Sequence, residues 1–342
     1  MRGEKSDTPL LSVRGLVKHY RLGGGLFARD HRIVHAVEDV SFDIVPGETL
    51  GLVGESGSGK STISKLIVRL EQPTAGKILF DGVDVAQADE RGLRDYRRHV
   101  QMIFQDPYSS LDPRMRAGAI IEEPMIIRGG MSQADRSRRL NQLLDLVGLP
   151  ASARDRFPNE FSGGQRQRIG IARAIALNPR LVIADEPVSA LDVSIQAQVI
   201  NLLQDLQAEL DLSYLFVAHD LAVVRHIAHR VAVLYLGRVM ELAPSEALYD
   251  NPLHPYTRAL MDAVPEPDPE HEAGREFAAI EGEIPSAVSP PPGCVFSTRC
   301  SMADDGCRKA VPPLREKAPG HIAACFKIPD VAATVAASAD KD

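Results

Sequence analysis

The stretch Gly54-Glu55-Ser56-Gly57-Ser58-Gly59-Lys60-Ser61 constrains this chain more than any other. It fits G-x-x-x-x-G-K-[ST] at every position. It lies between a short apolar run, Thr49–Val53, and a run with helically spaced apolar residues, Ser61–Leu70. Strand, glycine-rich turn and helix in that order point backbone N–H groups into one concavity. The helix N-terminus adds about half a unit of positive charge. In such a loop the lysine, here Lys60, reaches the β- and γ-phosphates of a nucleotide, and the Ser61 hydroxyl ligates Mg²⁺. The bland alternative is a glycine-rich turn without a ligand, and the flanking strand and helix speak against it.

The 342 residues leave room for two or three domains at about 100–200 residues each. Strands are expected at Leu11–Val17, Ala36–Ile44, Thr49–Val53, Lys77–Phe80, Val100–Phe104, Leu181–Ala184 and Tyr214–Val217. Helices are expected at Ser132–Val147, Gln165–Ala176, Ile195–Leu210 and Leu221–Ala228. Val231–Leu236 and Arg238–Leu242 read as a hairpin turning at Gly237. Strands alternating with helices indicate a parallel sheet with crossovers. Gly23–Arg29 reads as a flexible excursion, the proline-rich run 264–269 as a linker, and the small polar run 332–342 as a disordered tail.

Hydrophobic residues at 44% support a buried core. Against 46 acidic residues stand 39 basic ones, a net charge of −7, which argues against broad nucleic-acid binding. The densest basic runs, Arg91–His99 and Arg136–Arg139, read as solvated outer faces of helices. No apolar run approaches the roughly 18–20 residues that span a bilayer. Met1–Thr8 is polar rather than a secretory signal, so the expected location is cytoplasmic.

Leu181-Val182-Ile183-Ala184-Asp185-Glu186 is an apolar strand ending in two carboxylates, at the edge where open α/β sheets bind ligands. Asp185 suits Mg²⁺ and Glu186 suits orienting or deprotonating a water. Gln105 and His219 end neighbouring strands in the same way, Gln105 placed to touch the metal or the water and His219 beside Asp185.

Phe161-Ser162-Gly163-Gly164-Gln165-Arg166-Gln167-Arg168 resembles the signature motif of ABC-transporter ATPases. A Ser-Gly-Gly opening a helix is physically another anion site. The resemblance covers about residues 10–250 and implies an α/β P-loop fold with a mixed sheet core, an antiparallel β subdomain, a helical subdomain at about 106–165 and a small C-terminal extension. It implies that Gly54, Glu55, Ser56, Gly57, Ser58, Gly59, Lys60, Ser61 and Thr62 cradle ATP and that Tyr20 stacks on adenine, where a plain surface aromatic is the alternative. Ser61, Gln105 and Asp185 are implied to serve Mg²⁺, and Glu186, His219 and Gln105 the hydrolysis. Ser162, Gly163, Gly164 and Gln165 are implied to act on the ATP of a facing subunit, with Asp192 in the loop that crosses between the two. Three features resemble the oligopeptide/dipeptide importer branch with its nickel and glutathione relatives: Phe104–Pro113, His254–Leu260 and the cysteine-bearing tail after Gly282.

That branch implies boundaries at 8–253 for the ATPase, 254–328 for the extension and 329–342 for the tail. It also implies two integral-membrane permeases, a second homologous ATPase, an extracytoplasmic solute-binding protein, no nucleic acid, and a place on the cytoplasmic face of the membrane. A soluble ABC ATPase working on nucleic acid or in translation is the competing reading, weakened by the missing basic stripe. The four cysteines, Cys294, Cys300, Cys307 and Cys325, fall within 32 residues. From spacing alone free thiols, Zn²⁺ and an iron–sulfur cluster all stay open; the resemblance favours a [4Fe–4S] cluster.

Overall fold

The computed structural model describes residues 8–22, 32–263 and 282–331. The expected excursion at 23–29, the linker at 264–269 and the tail from 332 lie outside the described residues.

Alternating inward residues build an antiparallel sheet. Strand β1 (Leu11–Leu22) pairs with β2 (Arg32–Ile44) and β4 (Ala75–Phe80), and β4 with β5 (Val83–Asp84), in the order β2-β1-β4-β5. Leu11, Val13 and Leu16 of β1 join Val37, Val40 and Ile44 of β2, all fully buried, against Ile63, Leu66 and Ile67 of helix α1 (Lys60–Ile67). His19 Nε2 and His35 Nδ1 meet Glu38 Oε2 at 2.7 and 3.0 Å and fasten β1 to β2.

The second sheet carries the site. Strands β3 (Thr49–Val53), β6 (Val100–Ile103), β7 (Leu181–Asp185), β8 (Ser213–Val217) and β9 (Arg230–Tyr235) run parallel, with β3 flanked by β8 and β9 and β7 by β6 and β8. Every residue of β3, β7 and β8 is buried, as a parallel sheet covered on both faces requires. Strand β10 (Arg238–Pro244) turns back at Gly237 and pairs antiparallel with β9. The mixed α/β sheet expected from the sequence is present.

Helix α2 (Glu90–His99) buries Leu93 and Tyr96 and turns Arg91 and Arg94 to solvent. A helical region follows, made of α3 (Ala117–Arg128), α4 (Gln133–Leu146) and α5 (Gly163–Ala174). Met125 is buried, whereas Ile126 and Ile127 are 54% and 79% exposed. The expected outer face at Arg136–Arg139 is corrected: Arg136 Nη1 donates to Met131 O at 2.8 Å and Arg139 Nη2 to Ile175 O at 3.2 Å. Both side chains tie loop carbonyls to α4, and only Arg138 of the arginines there is exposed.

Helices α6 (Val193–Leu210), α7 (Leu221–Ile227), α8 (Ser245–Asp250) and α9 (Pro255–Asp262) complete the body. The C-terminal residues add α10 (Asp305–Lys309) and a hairpin of β11 (Arg315–Ala318) and β12 (His321–Ala323) that continues the large sheet through β10. Cys294, Val295, Phe296 and Cys307 share one core with the helical region. Glu241, fully buried on β10, accepts from Leu253 N–H at 2.7 Å and His254 N–H at 2.9 Å and contacts His321 Nε2 at 2.6 Å. No helix among the described residues is long and apolar enough to cross a membrane.

His254 is buried and neutral, its Nδ1 accepting the Tyr256 N–H at 3.0 Å. Burial pushes it down to about 4. The unfolded chain binds that proton below about pH 6.5 and the folded chain does not until pH 4, so stability is full above pH 6.5 and falls between 6.5 and 4. The unfolding free energy from urea titrations should be lower at pH 5 than at pH 7 by on the order of 1–2 kcal/mol for this group, and His254→Gln should flatten that pH dependence. Parallel slopes in the two chains would contradict a neutral buried His254.

Candidate active site

Strand β3 ends at Val53 and α1 begins at Lys60, so residues 54–59 form the loop between them. Gly54 sits at φ 152° with an added Cβ only 2.1 Å from Leu234 O, and Gly59 at φ 105° with one 2.4 Å from Ala36 O. No side chain fits at either place, so the loop passes tightly between β9 and β2. Gly59 caps α1 without a side-chain hydrogen bond, which leaves the first-turn N–H groups for an anion. Lys60 Nζ folds back to Gly54 O at 2.8 Å and Glu55 O at 3.0 Å. Burial lowers its pKa, and the charges of Glu186, Asp185 and Glu55 work against that.

Ser61 Oγ donates to Asp185 Oδ1 at 3.2 Å across from the end of β7. Burial raises the Asp185 pKa, opposed by the Ser61 hydroxyl and Lys60. A hydroxyl and a carboxylate oxygen this close are hard donors of the kind Mg²⁺ takes. Glu186 follows at φ 45°, its N–H held by Val217 O at 2.9 Å. A left-handed glutamate costs about 1–3 kcal/mol and turns the side chain away from the strand direction. Its Oε2 accepts from Gln105 Nε2 at 2.7 Å and lies 3.6 Å from His219 Nδ1. The ends of β6, β7 and β8 thus bring Gln105, Glu186 and His219 together. Gln105 and His219 share Glu186 as a common neighbour, a contact the sequence reading did not anticipate.

Tyr20, on β1, donates to the Glu71 carboxylate and interacts with the Thr62 hydroxyl; burial and Glu71 push the phenol up to about 12. Ser162 is the N-cap of α5. Its Oγ accepts from Gln165 N–H at 3.4 Å while Gln165 Oε1 accepts from Ser162 N–H at 3.1 Å, a reciprocal cap. An added Cβ at Gly164 would lie 2.6 Å from Ile195 Cγ2, so Gly164 lets α5 pack on α6, while Gly163 sits against Leu191. Asp192 is exposed at the start of α6 and its carbonyl accepts from Ile195 and Gln196. These hydrogen bonds stay within their own segments and none runs to residues 54–62.

Two residues outside the sequence-derived site touch the phosphate loop. The Glu55 N–H donates to Tyr256 Oη at 2.9 Å, and the Glu55 carboxylate takes both Arg299 amino groups at 2.7 and 3.1 Å. Arg299 lies 244 positions from Glu55, a separation over which sequence carries no pairing signal.

Cys294, Cys300, Cys307 and Cys325 line one small cavity, about 20 Å³ as it stands, with His254 and Phe296. All four thiols are free. Burial pushes Cys294 up to about 11, and the three neighbouring thiols add to the shift. Among the described residues no three of these sulfurs gather within reach of a single ion. The donor type suits a metal, but the sulfurs are too dispersed for one tetrahedral Zn²⁺ in this arrangement.

The family model for ABC transporters matches residues 37–189, and that for the oligopeptide/dipeptide transporter C-terminal region matches residues 240–307. A putative peptide import ATP-binding protein of Brucella ovis is 55% identical over 322 residues, covering 94% of this chain and 99% of its own. The chain belongs to the ABC transporter ATPases. The oligopeptide transport ATP-binding protein AppF of Bacillus subtilis is 52% identical to this ABC ATPase over 317 residues, covering 92% of this chain and 96% of its own. The dimeric post-hydrolysis state of the ATP-binding cassette MJ0796 bound to ADP and Pi superposes with a TM-score of 0.61 at 32% identity, over 69% of this chain and 98% of that one. An ABC ATPase uses ATP with Mg²⁺.

Replacing the buried clasp tests the loop. Lys60→Ala in this ABC ATPase should keep the fold and weaken ATP binding by about 10- to 10²-fold, as removal of a charge-assisted contact to phosphate does. Calorimetric titration with ATP measures it, and an unchanged affinity would contradict the role of Lys60.

Proposed function

We propose that this chain is the subunit whose ATP hydrolysis powers import of di- and oligopeptides, working as a peripheral protein on the cytoplasmic face of the membrane. The observation that carries the reading is the meeting of Gln105, Glu186 and His219 beside Lys60, Ser61 and Asp185, in a chain matching a peptide import ATP-binding protein along its length.

Loop amides between Gly54 and Thr62, other than those of Glu55 and Ser58 that Tyr256 and the Glu55 carbonyl hold, bind the phosphates together with Lys60, and the ring of Tyr20 carries the adenine. Ser61 and Asp185 hold Mg²⁺, which neutralises charge on the phosphates. Glu186 orients the attacking water and takes its proton. Its left-handed backbone and the Gln105 amide fix the direction of the carboxylate, and His219 stands where it senses the γ-phosphate. Catalysis of this kind is positioning plus electrostatics. Ser162, Gly163, Gly164 and Gln165 serve the ATP of a second homologous ATPase across the exposed loop at Asp192, so two nucleotides join two subunits.

Two integral-membrane permeases and an extracytoplasmic binding protein complete the importer. The exposed Ile126 and Ile127 receive a permease helix. The ATPase body is residues 8–253 with its helical part at 106–165, followed by the extension 254–328 and a tail at 329–342. Cys294, Cys300, Cys307 and Cys325 hold a [4Fe–4S] cluster, a reading supported by four free thiols that line one cavity.

Glu186→Gln should retain ATP binding and lose phosphate release by about 10²-fold or more, with uptake of labelled peptide falling in step. Near-normal turnover would remove the role given to Glu186. Anaerobic purification should yield about four iron atoms per chain with a broad visible absorption lost in a variant with all four cysteines changed to serine. Zinc in place of iron would overturn the cluster.

A further inference from the structure

Glu55 is the second residue of the phosphate loop, and it is held from outside that loop twice. Its backbone N–H is fixed by the Tyr256 hydroxyl at 2.9 Å. Its carboxylate is gripped by the Arg299 fork at 2.7 and 3.1 Å. The Arg299 side chain is only 6% exposed. Its Nη1 also lies 3.4 Å from Tyr235 Oη, while its Nε has no hydrogen-bond partner. Tyr235 packs edge to face on both Tyr256 and Phe296, and Tyr256 lies tilted against Phe296, with ring centres 4.7 to 5.3 Å apart. A buried guanidinium that leaves one donor unpaired is costly, and the bidentate carboxylate is its compensation.

The position of Glu55 gives that pair a consequence. Its carboxylate is close enough to Lys60 to act on its charge. An unpaired carboxylate there would repel an incoming triphosphate and be free to swing the loop.

We infer that Arg299, assisted by Tyr256, is a positioning residue for ATP binding. It acts through Glu55, shaping the phosphate loop and cancelling a negative charge beside Lys60. The C-terminal extension therefore sets nucleotide affinity as well as decorating the ATPase body. This inference rests on the ATP reading above.

The test uses the full chain and measures ATP affinity by titration with a fluorescent ATP analogue, and phosphate release in the complex. Wild-type chain that binds no ATP would overturn the ATP reading itself, separately from this inference. Given wild-type binding, Arg299→Met should weaken ATP affinity about tenfold, the loss expected for one charge-assisted contact. Its kcat at saturating ATP should stay within about twofold of wild type, because Arg299 touches none of the reacting atoms. The double variant Arg299→Met with Glu55→Gln should recover most of that affinity, since the like charge is gone.

Wild-type affinity in Arg299→Met, or a double variant no better than the single one, would overturn the inference. If Arg299→Met does not fold, Tyr256→Phe reads the same link with one oxygen removed. A severalfold loss of ATP affinity there supports it, and an unchanged affinity overturns it.

Discussion

The N-terminus of α1 has no side-chain cap, and the rest of the molecule is arranged around that fact. First-turn N–H groups without an internal partner are costly unless water or an anion takes them. They stay available because Gly54 and Gly59 are squeezed between the carbonyls of Leu234 and Ala36, where any Cβ would collide. Lys60 closes the concavity from inside by bonding the carbonyls of its own loop. The geometry of the loop is thus preset by backbone packing.

The parallel sheet does the second part of the work. Residues of β3, β7 and β8 are buried on both faces, so their polar ends fall together at one edge. Asp185 remains in strand register opposite Val217, while Glu186 breaks into a left-handed backbone. That break separates two consecutive carboxylates, one toward Ser61 and the other toward Gln105 and His219. Strain of this kind persists where the surroundings over-determine it, and here the sheet hydrogen bond from Glu186 to Val217 and the Gln105 amide do so.

Much of this was legible in the sequence because it is local. The loop from Gly54 to Ser61, the strand ending in Asp185-Glu186 and the Ser162–Gln165 cap each occupy a few consecutive residues whose spacing dictates their geometry. The contacts that escaped are long-range or depend on burial. Arg299 reaches Glu55 across 244 positions, and nothing in the cysteine tail marks it. Arg136 and Arg139 read as solvated because charge run and period look the same whether a guanidinium faces water or a carbonyl. Pro124 breaks the period of helix α3, so its bounds within the helical region do not show in the sequence, and the strands of the β11–β12 hairpin, four and three residues long, are too short to leave a pattern. Gln105 was placed at the correct strand end, yet which neighbour its amide takes depends on the turn at Glu186.

The most direct measurement is capture of the tagged full chain from its own membranes in mild detergent, with identification of what accompanies it and assay of MgATP hydrolysis on the captured material. Two multispanning permeases, a second related ATPase, and hydrolysis that responds to peptide-loaded binding protein are the expected result. Capture with soluble partners or nucleic acid alone, and hydrolysis indifferent to any membrane component, would contradict it.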